Sequence, residues 1–168
     1  MGEIVFLSLG SNIGDRAKNI YTGIRYLSKS LKDLIVSRLY ETEPRDFFNQ
    51  PRFLNCVVRG IYSGRVYELL SLIRTIESKM GRQRTIIKGP RTLDIDILFF
   101  GDRVLRDREL TIPHPELLKR QFVLIPLLEL EPRLRHPEKN EYLWKYHLAL
   151  GAQGVYYYSF FSADMGEE

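Results

Sequence analysis

The chain has 168 residues, 44% of them hydrophobic, which suits one domain with a real core. No run approaches the ~18 consecutive apolar residues of a membrane span; Glu3 and the lack of a basic N-terminal stretch argue against a secretory signal, and Phe6 stands where N-myristoylation prefers Ser or Thr, so the expected compartment is the cytoplasm. A net charge of +4 at pH 7 and a pI of about 9.2 favour anionic ligands without choosing among nucleic acid, nucleotides and plain solubility.

In chain order, "EIVFLSLGSN" opens with an apolar strand over 3–9. Ile20, Ile24, Leu27 and Leu31 recur at helical spacing, which predicts an amphipathic helix over about 15–30 with Asn12 or Asp15 available to cap it. "LIVSRLYET" (34–42) reads as a second strand and 43–52, with two prolines, as a loop. "FLNCVVRGIYS" (53–63) is a third strand; its Cys56, the single cysteine, is expected to be a small core residue rather than a nucleophile. Val66, Leu69, Leu70, Ile73 and Ile76 mark a second helix, ended by Gly81. A basic loop (82–90) leads into a fourth strand, "RTLDIDILFF" (91–100), stopped at Gly101-Asp102. Prolines then break "LTIPHPELLKRQFVLIPLLELEP" into a short edge strand (109–112), a turn and one or two short helices. Beyond 138 lies an extension with "VYYYSFF" (155–161), for which an added edge strand and an association surface are both open. The order β-α-β-β-α-β predicts an α+β, ferredoxin-like antiparallel sheet with helices packed on one face, plus the C-terminal extension, all in a single domain (1–168). Such a fold names no chemistry by itself.

The chemistry concentrates around "GPRTLDIDILFF" (89–100). Asp94 and Asp96 leave the same side of a strand, their backbones roughly 6.6 Å apart at ~3.3 Å per residue. Leu93, Ile95 and Ile97 would face the helices, leaving the two acids on the open side of the sheet. A solvated acidic pair is one reading. The other is a pair of magnesium ions, which take oxygen ligands from one or two carboxylates and from substrate phosphates. Two features favour it: "ILFF" is too apolar for a wet edge, and Arg74 to Arg91 holds six basic residues against one acid, Glu77. Arg91, three residues before Asp94, could reach a phosphate held by the same metals, and the basic loop would supply fixed positive charge. There is no Walker motif, no zinc-ligand spacing and no G-x-S-x-G. His114, between two prolines in "TIPHPE", is either a turn-packing residue or a nucleotide contact. Asn55, polar within an apolar strand, is either a structural hydrogen-bonding residue or a reader of a heterocycle edge, with Phe53 and Phe122 able to flank a flat ring.

"GPRTLDIDILFFG" resembles the signature of the 6-hydroxymethyl-7,8-dihydropterin pyrophosphokinases of folate synthesis. "LSLGSN", "YETEP", "QPRFLNCVV", "IRTIESKMGRQR" and "LTIPHPELLKRQFVLIPLLEL" agree with it in order, across about residues 4–137. The resemblance implies transfer of the β,γ-pyrophosphoryl group of ATP to the hydroxymethyl oxygen of the dihydropterin, leaving AMP. It implies two Mg²⁺ ions on Asp94 and Asp96, with Arg82 and Arg91 around the transferred phosphates and Arg84 in a loop that closes over ATP. Glu77, Ile97, Thr111, His114 and Arg120 match positions lining the nucleotide site. Thr42, Glu43, Phe53, Asn55 and Phe122 match the pterin pocket, where Asp94 could also orient the pterin hydroxyl. ATP and the pterin are the expected partners of a monomer, with no nucleic acid and no membrane. The chain departs from the pattern at Arg45, where an apolar residue is common, at Lys88, where several relatives have an aromatic, and at Pro115 and Glu116. An RNA-binding module shares the element order but needs aromatic RNP strands that are missing here. A different two-metal enzyme would satisfy D-x-D alone, and the pterin-pocket match speaks against it.

Overall fold

The computed structural model describes residues 1–44, 49–81 and 91–162. Strand β1 (Glu3–Ser11) lies between β5 (Asp94–Phe100) and β4 (Phe53–Tyr62) and is antiparallel to both. Side chains alternate along it: Val5, Leu7 and Leu9 point to one face, Phe6, Ser8 and Gly10 to the other. The first face is covered by α1 (Arg16–Ser28) and α2 (Val66–Lys79). Ile20, Ile24 and Leu27 of α1 and Leu69, Ile73 and Ile76 of α2 are buried there with Cys56 and Val58, so the helical spacing in the sequence is the buried stripe. Asp15 caps α1, its carboxylate accepting from the Lys18 N–H at 3.1 Å. Gly81 follows the last turn of α2 with φ at +75°, a conformation glycine adopts without strain. Cys56 is fully buried, and burial pushes its thiol pKa up, as a core residue requires.

The strand expected over 34–42 is two strands, β2 (Leu31–Val36) and β3 (Leu39–Thr42), both on β4. Pairing slips by one residue between them, where Ser37 Oγ accepts the Val57 N–H at 2.9 Å and Glu129 accepts the Arg38 N–H at 2.8 Å. Side chains thus take over two bonds of the ladder.

The expectation of helices on one face alone is corrected. Part of the second face is covered by a short 3-10 helix (Leu117–Lys119), α3 (Gln121–Leu130) and α4 (Leu143–Leu150). Phe6, Val57, Leu98 and Phe99 form a second core there with Val123, Leu124, Leu127 and Leu143. Such a sheet face must be covered to remove its apolar area from water. Asp94 and Asp96 therefore do not stand on an open sheet; they occupy the uncovered end of a half-covered face. The predicted edge strand shrinks to β7 (Thr111–Ile112), paired with β6 (Leu105–Arg106). In the extension, β8 (Val155–Ser159) adds an outer strand antiparallel to β3. No helix among the described residues is long and apolar enough to cross a membrane.

Candidate active site

A cavity of about 300 Å³ opens at the uncovered end of the second face. Its floor is set by strand register. Gly10 pairs with Asn55 on one side and Asp94 on the other, and Ser8 pairs with Asp96; residues directly opposite in an antiparallel ladder share a face. Asn55 is buried and donates from Nδ2 to Thr42 Oγ1 at 2.6 Å. A Cβ on Gly10 would lie 2.7 Å from Asn55 Oδ1, so the absence of a side chain at position 10 makes room for the amide. Two phenylalanines line the same cavity, each with an arginine over its ring: Arg91 at 5.9 Å from the Phe53 centroid and Arg120 at 5.6 Å from that of Phe122. Glu43 completes a wall beside Thr42.

The charged part is built on β5. Arg91 Nη1 lies 3.2 Å from Asp94 Oδ2, with about a fifth of each side chain exposed. Beyond Asp96 the strand bulges: Leu7 pairs with Ile97 and Phe6 with Phe99, leaving Leu98 extra. The Leu98 carbonyl accepts the His114 N–H at 3.0 Å, which anchors the turn carrying His114 beside the carboxylates. His114 Nδ1 accepts the Glu116 N–H at 3.1 Å, so the neutral ring carries its proton on Nε2. Burial, then the nearby Arg120 guanidinium, pull its pKa down to about 4 against the opposing pull of Glu116 and Asp94.

Asp96 and His114 also line a second cavity, of about 270 Å³, together with Ile97 and Thr111. The residues matched to a nucleotide site thus divide: His114 and Arg120 line the first cavity, Ile97 and Thr111 the second. Glu77 lines neither. It is buried at the end of α2 and accepts the Ile95 N–H at 3.1 Å, fixing the backbone between the two aspartates. Arg82, Arg84, Lys88 and Arg45, with the rest of the basic loop, lie outside the described residues.

Reasoning from sequence missed Asn12. Asp15 takes the capping role, and Asn12, fully buried, ties three segments together. Its Nδ2 donates to Gln50 Oε1 at 2.8 Å and to the Pro51 carbonyl at 3.1 Å, while its Oδ1 accepts the Arg91 N–H at 2.8 Å. A polar residue two positions past an apolar strand, with a better cap three residues on, was the available signal. Gln50 and Ser8, which line the cavity, gave none.

The donor set suits a hard cation. Among the described residues no cluster of three or more His, Cys, Asp or Glu side chains could hold a metal. The chain offers two carboxylates on one face, half-buried beside arginines, so the remaining ligands would be water and an incoming anion. That fits magnesium with a polyphosphate and not a closed zinc site.

The domain is thus an antiparallel α+β fold that carries, at one end of its sheet, a carboxylate pair and arginines beside a cavity lined by two phenylalanines and an amide. The family profile described as 7,8-dihydro-6-hydroxymethylpterin-pyrophosphokinase (HPPK) matches residues 6–132, and the chain belongs to this family. It is 44% identical over 133 residues to the 2-amino-4-hydroxy-6-hydroxymethyldihydropteridine pyrophosphokinase of Aquifex aeolicus, covering 79% of this chain and 83% of that protein. It is also 44% identical over 161 residues to the folic acid synthesis protein fol1 of Schizosaccharomyces pombe, covering 95% of this chain but 22% of that much longer protein. A crystal structure of Plasmodium falciparum HPPK-DHPS, a triple mutant with STZ-DHP, superposes with a TM-score of 0.71 at 18% identity, over 89% of this chain and 43% of that one. This last likeness establishes the fold alone.

Proposed function

We propose that this chain transfers pyrophosphate from ATP to the hydroxymethyl group of 6-hydroxymethyl-7,8-dihydropterin, releasing AMP, as a single cytoplasmic domain acting as a monomer. The observation that carries the reading is the register that sets Asn55, Gly10 and Asp94 side by side across three strands, with phenylalanines and arginines lining the same cavity. Phe53 and Phe122 would hold the pterin ring, while Asn55, oriented by its bond to Thr42, would read its polar edge. Asp94 and Asp96 would hold two Mg²⁺ ions, which supply charge neutralisation of the triphosphate when bound. Arg91, held between Asp94 and Phe53, would balance charge on the transferred group, and Arg82 and Arg84 would do so from the basic loop. His114, neutral with Nε2–H free of its backbone bond, would donate to a phosphate or ribose oxygen. Arg120, Thr111, Ile97 and Glu43 would complete the two pockets, and Glu77 acts from behind by fixing β5.

The test is incubation of purified protein with ATP, MgCl₂ and the pterin, with AMP and ADP separated by chromatography. AMP that requires both pterin and Mg²⁺ supports the proposal. ADP would mean single phosphoryl transfer and a misread reaction; no product at all would refute the assignment of this substrate pair.

A further inference from the structure

We propose that the C-terminal extension is a positioning element of the pterin pocket, acting through Gln121 and Gln153. This rests on the function proposed above and goes beyond the family-matched residues 6–132. Gln121 sits between two cavity-lining residues, Arg120 and Phe122, yet faces away from the cavity and is buried. Its Nε2 donates to the carbonyls of His147 at 2.9 Å and Gly151 at 2.8 Å. With the amide so oriented, Oε1 accepts from His147 Nδ1 at 2.7 Å, which fixes the histidine tautomer. The Gln121 N–H donates to Gln153 Oε1 at 2.9 Å, and Gln153 Nε2 donates to the Lys119 carbonyl at 3.1 Å. Every one of these bonds joins the 119–121 segment to the extension.

The same extension holds a second wall. β8 pairs with β3, Val155 opposite Thr42 and Tyr157 opposite Tyr40. The Glu43 N–H points to the Gly154 carbonyl at 3.4 Å, and Gly154, held at φ +67°, lies beside the Glu43 side chain, which an added Cβ would meet at ordinary contact distance, 3.4 Å. Residues 151–155 therefore bridge Arg120–Phe122 and Thr42–Glu43, two stretches that are 78 positions apart at their starts (42 and 120) and meet through this turn. Asn55 takes its orientation from Thr42, so a shift of β8 reaches the amide that would read the pterin.

The experiment compares Gln153→Met, Gln121→Met and Gln153→Glu with the wild-type chain. Gln153→Met keeps the length and removes both bonds; Gln153→Glu keeps an acceptor for the Gln121 N–H. Losing bonds of this kind should raise the KM for the pterin about tenfold in both Met variants, with kcat within about twofold, and the Glu variant, which keeps the Gln121 bond but cannot donate to the Lys119 carbonyl, should recover part of the loss. A merely structural role would lower Tm without this KM-against-kcat split. Amide hydrogen exchange gives a readout free of turnover: in Gln153→Met the Gln121 amide, which loses its acceptor, and the Glu43 amide, held by Gly154, should exchange at least ~5-fold faster. Unchanged exchange at these amides, or an unchanged pterin KM in both Met variants, overturns the inference. An inactive wild-type chain would instead refute the proposed reaction, and the exchange result would still decide whether the extension grips the two walls.

Discussion

Asn12→Ala removes one buried amide that holds three segments together. Three side-chain hydrogen bonds are lost, at 2.8, 3.1 and 2.8 Å. At about 1 kcal/mol net for each bond the ceiling is ~3 kcal/mol. The loop partners recover part of this, because Pro51 is exposed and its carbonyl can be rehydrated. The Asn12 N–H to Arg91 carbonyl bond, 3.1 Å long, is main-chain and survives. The expected loss of stability is therefore about 1.5–3 kcal/mol, measured by urea unfolding. The functional loss should be separate and larger than the stability loss implies. The Arg91 N–H loses its acceptor, and the guanidinium that spans Phe53 and Asp94 loses its fixed starting point. A displacement of that group should lower kcat/KM for AMP formation tenfold or more at temperatures where the variant is fully folded. Asn12→Asp should fall between the two, since its carboxylate still accepts from Arg91 but cannot donate to the Pro51 carbonyl. A folded Asn12→Ala protein with unchanged kcat/KM would refute the positioning role, and one with unchanged stability would refute the bonding account.

Asp96→Ala should fold, because its carboxylate lies at the uncovered end of the sheet, and should lose nearly all pyrophosphoryl transfer; near-normal turnover would remove the metal assignment. Gly10→Ala places a methyl 2.7 Å from Asn55 Oδ1 and should raise the pterin KM about tenfold while leaving ATP binding, followed by calorimetric titration, nearly intact. His114 titrates near pH 4 when folded and near its ordinary 6.5 when unfolded. The unfolded chain therefore binds the extra proton first as pH falls, so stability holds above 6.5 and declines between 6.5 and about 4, by at most ~3 kcal/mol. His136, whose pKa burial also lowers, adds to the same slope, so the check is the difference between wild type and His114→Gln across that range: the variant should be the flatter of the two.

Much of this molecule was readable from periodicity because its main core is periodic. Ile20, Ile24 and Leu27, and Leu69, Ile73 and Ile76, could be placed on helix faces since each side chain meets the sheet at helical spacing. The cavity was readable through resemblance, and the strand register explains why residues near positions 10, 55 and 94 belong together. Where the sequence misled, a distant partner decided the local structure. The break between β2 and β3 depends on Glu129, 91 positions beyond Arg38. The octapeptide "LWKYHLAL" buries only Leu143 as a helix, too little for a stripe to show, whereas "VYYYS" does form the added edge strand that was one of its two open readings, without alternation because its tyrosines stay exposed.

The run "ILFF" shows how one local irregularity makes the site. In an unbroken strand, Leu98 would share a face with Asp96, and Phe99 would join Ile97 on the other side. The bulge instead puts both Leu98 and Phe99 into the second core, under α3 and α4. One sheet face thus changes character within two residues, from carboxylate at Asp96 to closed apolar packing at Leu98. The extra residue also frees the Leu98 carbonyl to hold the His114 turn over that boundary. The cavity begins where that apolar packing stops, and the two aspartates stand half-buried just outside the second core.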